Sequence, residues 1–459
     1  MDVLEKIEKD IFYKKLFALS LPIVFQNFMT TSLDLMDSVM IGAVGELELA
    51  AVGLANQIYF LLFLVLFGIN NGVAVYIAQF WGDKNRKDIH KSVGLGLFSS
   101  LIVALIFFIA AYFFSEEIMR LLIDDAVVID LGVQYMKIIA FAYIFTGISF
   151  ALGIFSRSVE QAKLPAKVSG VSIVINIIMN YILIFGKFGM PALGVEGAAI
   201  GTLIARIVEF ILLTSILIKR DSVIIGKFEE MIAFNLTFSI KIFKRAFPVI
   251  LNETFWALGT IVYIVMIGHI GPSAVAIFHI SNIVYRFFNI IFIGFASACQ
   301  VMVGNKIGAR EEELAEAYAF RIVKIAEIAT IILGVIVFAL APLIVKIFSF
   351  EAGNAQLAVY SIRVFMFYSL FKTFNLMMIV GVLRGGGDTK AAMFIEIGGV
   401  WGLGVPMAYL SAVILGLPVH WVIGFIYSEE ILKAIIGFKR LYSGKWINNV
   451  TLEVAEESP

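Results

Sequence analysis

Asp37 is the residue of this chain most exposed to a chemical demand. It sits in a long apolar run with Asp34 three residues before it, so the two share one helical face, and no basic residue stands within a turn of it. A carboxylate without a counter-charge in such a run is costly to keep, and its natural chemistry is to bind a cation or carry a proton. Bonding to helix backbone or to a water near the outer face is the plainer alternative. Asn176 and Asn180 stand at i, i+4, one above the other on one face, and Thr202 lies a little way into the next apolar run. Taken alone, these amides read equally well as glue between helices, at about 1 kcal/mol each. In the second half, Glu253 follows Pro248 and Asn252, Lys372 lies in a later apolar run, and Glu396 precedes Trp401 and Pro406. Glu253 and Lys372 read either as a structural ion pair between two helices or as coupling groups. Glu396 could line the interior of that half.

Other charges have local explanations. Arg206 with Glu209, and Glu429 with Lys433, have the spacing of self-neutralising helical pairs. Arg157 and Arg384 fall in turns, where they would cap helix ends and read lipid headgroups. Asp124-Asp125 is not a DDxxD motif, because Val128 stands where the third carboxylate belongs. The single cysteine, Cys299, excludes an intrachain disulfide framework and a thiolate cluster, and the four histidines are far apart with no metal-ligand spacing. There is no nucleophile–base pair, metal triad or phosphate loop. The expectation is a protein that is not an enzyme, with no cofactor and no resident metal.

The elements that position these residues follow from composition. Of 459 residues, 61% are hydrophobic and 15% charged, against roughly 45–50% and about 25% in soluble domains. Lys+Arg and Asp+Glu are both 35, and that balance gives no footprint for nucleic acid. A helix needs about 20 mainly apolar residues to cross a bilayer, and about twelve such segments occur. Their cores are 17–41, 51–79, 93–114, 133–155, 166–186, 197–218, 247–269, 276–303, 322–345, 361–383, 393–415 and 419–438. Of the 35 basic residues, 27 fall on one set of flanks, from Lys6 and Lys9 through Arg157, Arg384 and Lys433 to Lys445. The other set holds Arg120, Lys137, Lys187 and Lys346. By the positive-inside rule both termini are cytoplasmic and the number of spans is even. An all-α, multi-pass protein of the cell membrane, in contact with its lipids, is the result.

The sequence also repeats. Val39-Met40-Ile41-Gly42 matches Val265-Met266-Ile267-Gly268 at an offset of 226, which also carries Pro22 to Pro248. At an offset of 227, Arg157 matches Arg384 and Lys163 matches Lys390. Asp37 falls opposite Tyr263, so its carboxylate is specific to one half. The organisation expected is two pseudo-symmetric six-helix bundles: an N-lobe over 1–221, a cytoplasmic linker over 222–245 and a C-lobe over 246–459. Two such bundles suit a cavity near the midplane and alternating access by rocking.

These motifs carry a resemblance. Leu21-Pro22 leading to Asp37-Ser38-Val39-Met40-Ile41-Gly42, then Asn180 to Gly186, then Gly194 to Ala199, are similar to the multidrug and toxic compound extrusion (MATE) family. The most specific stretches are Val382-Leu383-Arg384-Gly385-Gly386-Gly387-Asp388-Thr389-Lys390 and Trp401 to Pro406. The resemblance implies twelve helices in two lobes, a monomer, and export of amphipathic, often cationic small molecules against inward Na⁺ or H⁺ flow. It also implies a cation site on Asp37, Asn176 and Thr202, with Asn180 standing where other members carry a second acid. A single carboxylate among neutral oxygens favours Na⁺ over H⁺ as the coupling ion. Glu253 matches a coupling glutamate of some members, whose partner aspartate is replaced by Thr373, beside Lys372. A related fold serves lipid-linked oligosaccharide flippases, the main rival reading. Such a carrier needs several free basic residues in its spans, and here only Arg206, Arg286, Arg363 and Lys372 are candidates. A passive channel fits poorly with a two-lobe repeat whose acids are placed asymmetrically, since channel filters use symmetric rings.

Overall fold

In a computed structural model, the backbone is described for residues 2–348 and 352–455, and side chains for 11–348 and 353–454. The side chains of Lys6 and Lys9, two of the basic residues used for orientation, lie outside the described residues. The chain is helical almost throughout, and no strand occurs among the described residues beyond an isolated bridge between Gly387 and Ile447. It divides into two compact units. One comprises Leu21–Trp81 and Asn85–Phe243; the other comprises Met1–Ser20, Gly82–Lys84 and Lys244–Pro459.

The first unit is built from most of α1 (Asp2–Gly42) and α2 (Glu46–Gly82), followed by α3 (Arg86–Phe113), α4 (Ser115–Leu122), α5 (Ala126–Ser158), α6 (Lys163–Phe185) and α7 (Gly194–Lys219). Helices α6 and α7 pack along each other, and α5 packs on α3 and α7. Their ends have local causes. The Asp125 carboxylate accepts the first free amides of α5, from Val127 and Val128, so the second acid of the Asp124-Asp125 pair is a helix cap. Gly186, at φ +64°, stops α6 in the left-handed conformation that a side chain would resist. The short α4 is an extra amphipathic helix that the span reading does not contain. Residues after α7 form a connector with one short turn, α8 (Phe228–Met231), packed on α3.

The second unit contains α9 (Leu236–Gly268) from Lys244 onward, then α10 (Pro272–Gly308), α11 (Glu312–Val345), α12 (Ala352–Leu376), α13 (Thr389–Gly399), α14 (Val405–Tyr409), α15 (Val419–Tyr442) and α16 (Val450–Ala455). The repeated VMIG tetrapeptide ends α1 at Gly42 and α9 at Gly268, and Pro22 and Pro248 lie inside the same two helices. Helix α12 runs into a widened helical segment, Met377–Leu383. Two more, Val400–Gly404 and Leu410–Ile414, flank α14 and extend α13 into one long span. Widened turns of this kind concentrate at functional sites.

The fold is an all-α integral membrane protein with about twelve membrane helices, as the sequence implied. Eleven helices among the described residues are long and apolar enough to cross a membrane. The twelfth, α15, falls short of that composition because Glu429, Glu430 and Lys433 interrupt its middle.

Candidate functional site

In the first unit the four residues singled out from sequence meet in one hydrogen-bonded chain across three helices. The Asn180 amide donates to Asp37 Oδ1 at 2.9 Å and to Asn176 Oδ1 at 3.1 Å. The Asn176 amide in turn donates to Thr202 Oγ1 at 3.1 Å. Asn176 and Asn180 are buried, and their i, i+4 spacing on α6 lets one side chain reach the other. Asn180 Oδ1 is buried and accepts no hydrogen bond. Gly201 on α7 makes room for that oxygen, since a Cβ there would fall 2.1 Å from it. The site thus presents a carboxylate, an amide oxygen with free lone pairs, and two further oxygens that each keep one lone pair after accepting a single bond. That donor set suits a small monovalent cation.

A second network lies in the same unit. Arg157 donates to Gln26 Oε1 at 2.6 Å, Gln26 to Ser169 Oγ at 2.8 Å, and Ser169 to Glu209 Oε1 at 2.6 Å. Arg206 closes it on Glu209 Oε2 at 2.7 Å, the i, i+3 pair read from sequence. Arg157 is therefore not a residue reaching for headgroups. It points inward to α1, one turn after Pro22.

The second unit overturns several expectations. Glu253 pairs with Arg384, whose side chain is 1% exposed, and not with Lys372. Arg384 consequently faces the interior rather than the lipid surface. Lys372 is 3.9 Å from Glu430 Oε1, with its ammonium 3.8 Å from the Tyr427 ring centre and 4.5 Å from that of Tyr285. The aromatic faces hold the cation that the Glu253 reading had assigned elsewhere. Lys433 is not a flanking residue. It is buried, at 3.1 Å from Glu396, 3.2 Å from Glu430 and 3.5 Å from Glu429. Glu429 and Lys433 are thus part of a five-residue cluster of three carboxylates and two ammonium groups, not a self-contained pair. Asn375 donates to Glu430 Oε2 at 2.8 Å, and the Tyr263 hydroxyl to Glu429 Oε2 at 3.1 Å. Thr373 is buried, its hydroxyl unpartnered, and it brings no charge. Asp388 is held by Arg440 at 2.6 Å.

Sequence reasoning missed Glu430 altogether, and it missed Glu327 on α11, whose Oε1 is buried without a hydrogen bond. A signal for the cluster existed. The offset of 227 carries Ser169 to Glu396, Thr202 to Glu429 and Arg206 to Lys433. The polar positions of the first unit therefore recur in the second with charged residues. No group of three or more His, Cys, Asp or Glu placed to hold a metal occurs among the described residues.

The sequence profile of the MatE family matches residues 22–182 and 248–410. The chain is 25% identical over 448 residues to a probable multidrug resistance protein NorM of Thermotoga maritima, covering 96% of this chain and 94% of that protein. It is also 25% identical to the multidrug resistance protein NorM of Vibrio cholerae, covering 96% and 99%. Among solved structures it is similar in fold to a multidrug resistance MATE family transporter of the MOP superfamily in an outward-facing conformation. The TM-score is 0.86 at 19% identity, over 94% of this chain and 96% of that one.

Proposed function

The chain belongs to the MatE family of transporters, whose profile spans both of its halves, and we propose that it is a cation-coupled exporter of amphipathic, often cationic small molecules. It works by alternating access in the cell membrane, with both termini cytoplasmic. The coupling cation binds at Asp37, with Asn180, Asn176 and Thr202 supplying neutral oxygens. One observation carries this reading: the buried Asn180 Oδ1 accepts nothing while the amide nitrogen of the same side chain is anchored to Asp37. A buried amide oxygen left unsatisfied beside a carboxylate is expensive unless something cationic visits it.

Na⁺ fits this donor set better than H⁺, because only one residue of the set is an acid. Multidrug resistance is the role named for the NorM relatives, and many drugs of mixed structure are the substrate class carried over here. A lipid-linked oligosaccharide flippase is not favoured, since Arg206 and Lys372, two of the four basic candidates named from sequence, are already engaged by Glu209 and Glu430. The test is ethidium efflux from proteoliposomes driven by a Na⁺ jump or a pH jump, applied separately. Efflux that follows the Na⁺ jump and is lost in Asp37→Asn supports the reading. Efflux driven by pH in strictly Na⁺-free vesicles, and unchanged when Na⁺ is added, overturns the choice of ion. Efflux under neither gradient overturns coupled export itself.

A further inference from the structure

Between the start of α13 and the end of α15 the second unit carries a groove of about 550 Å³ at one end of the helices. Its rim is basic: Lys390, Lys439, Arg440 and Lys445 line it, with Asp388 as the single carboxylate. Arg440 neutralises Asp388 through Nη2 at 2.6 Å and Nε at 2.8 Å. Lys390, Lys439 and Lys445 are exposed and enter no ion pair among the described residues. Three positive charges therefore converge on one concave surface whose only carboxylate is already taken.

The wall of the groove is apolar. Phe394, on α13, is 68% exposed and Ile436, on α15, 42% exposed, and both line the groove. The floor is fixed in place. Trp446 is fully buried, with its indole donating to Leu441 O at 3.0 Å, and Asn448 N donates to Gly386 O at 2.9 Å. Gly386 permits this approach, since a Cβ there would lie 2.3 Å from Trp446 O. Arg440 also donates to the Lys445 carbonyl at 3.2 Å, so the segment that carries Lys445 is tied to α15.

From this arrangement we infer that the groove is a binding site for an anionic phospholipid, with the phosphate at Lys390, Lys439 and Lys445 and an acyl chain against Phe394 and Ile436. A soluble phosphate has no use for the apolar wall, and a zwitterionic lipid brings its own cation to a rim that is already positive. Both halves of the groove are matched only by an amphiphile with net negative charge. The groove also lies on the side where the basic residues of the chain gather, which is where anionic headgroups concentrate.

Native mass spectrometry of the full chain in detergent tests this, with phosphatidylglycerol, phosphatidylcholine or glycerol phosphate added. Phosphatidylglycerol should be retained in preference to phosphatidylcholine. A Lys390→Gln, Lys439→Gln, Lys445→Gln triple variant should lower that retention roughly tenfold or more, given three lysines near one headgroup. The corresponding triple arginine variant should keep it, which separates charge from folding. Phe394→Ser should weaken the lipid and leave any glycerol phosphate adduct as it is. Equal retention of phosphatidylglycerol by wild type and the glutamine triple overturns the site. Displacement of the lipid by an equal concentration of glycerol phosphate overturns the lipid as occupant.

Discussion

Asn180 is the residue on which the candidate cation site turns, because its amide nitrogen holds two oxygens in place while its own oxygen stays free. Asp37→Asn keeps the size of the side chain and removes the charge. It is expected to abolish coupled efflux while the protein still inserts and elutes as wild type. Normal efflux under a Na⁺ or pH gradient would rule the assignment out. Gly201→Ala tests the geometry without touching a ligand. The added methyl would meet Asn180 Oδ1 at 2.1 Å and Asn180 N at 3.1 Å, so the side chain must turn away from Asp37. Ion-driven efflux should fall about tenfold or more, a small displacement having a large effect where geometry sets the rate. Efflux at the wild-type rate would mean that the Asn180–Asp37 contact is incidental. Glu253 belongs to another class. Removing its charge leaves Arg384 buried against a neutral amide, and breaking a buried pair in this way costs about 3–5 kcal/mol. Glu253→Gln should therefore lower the unfolding temperature as well as transport, and Lys372→Met should not rescue it, because Lys372 faces Glu430. Rescue by Lys372→Met would restore the pair that the geometry excludes.

At the scale of elements, the connector after α7 is clasped to α3 by His90. Its Nδ1 is 2.7 Å from Glu230 Oε2 and its Nε2 3.0 Å from Val223 O. Both ring nitrogens therefore face oxygen atoms of the connector. Gly94 and Gly226 allow the contact, since a Cβ on either would strike Met231 O or the His90 ring. The bond to His90 holds the Glu230 carboxyl below its ordinary value of 4.5. A depressed carboxylate stabilises the docked state above its unfolded value and loses that contribution as pH falls through the folded one. The clasp should accordingly be intact at neutral pH and loosen on acidification below about 4.5. Hydrogen exchange of residues 223–231 reads this directly. Exchange should quicken at low pH, and at pH 7 in His90→Ala. Protection that is the same in His90→Ala would show that the glycine contacts alone hold the connector.

At the scale of the whole molecule, the spans, the repeat and the residues of the hydrogen-bonded cluster at Asp37 were legible in the sequence, from apolar run length, a fixed offset, and polar residues standing in apolar runs. Which charges meet across helices was not. Arg157 and Arg384 look like turn residues in sequence, yet both side chains fold inward to α1 and α9. The repeat shows what was overlooked. Where the first unit has Asp37 facing Asn180, the second has Tyr263 donating to Glu429, so its acid arrives from α15 and not from the helix equivalent to α1.

That inversion makes the two units unequal in how they depend on their central cation. Arg206 and Lys433 occupy equivalent positions of the repeat. The Arg206 side chain is 26% exposed and answers Glu209, whereas that of Lys433 is 3% exposed and lies within 3.5 Å of three carboxylates. Replacing Arg206 with Met leaves one acid that Ser169 still solvates, and the loss should be about 1 kcal/mol, the scale of a partly exposed pair. Replacing Lys433 with Met leaves Glu396, Glu429 and Glu430 facing each other with Lys372 as the remaining cation. A loss of about 3–5 kcal/mol is expected, because uncompensated charge is left in a low-dielectric interior. Adding Glu396→Gln to Lys433→Met removes one of the stranded charges and should recover part of that loss. Thermal unfolding of the detergent-solubilised protein measures all three. Equal unfolding temperatures for Arg206→Met and Lys433→Met, or no recovery in the double variant, would show that the α15 cluster is not held together by Lys433.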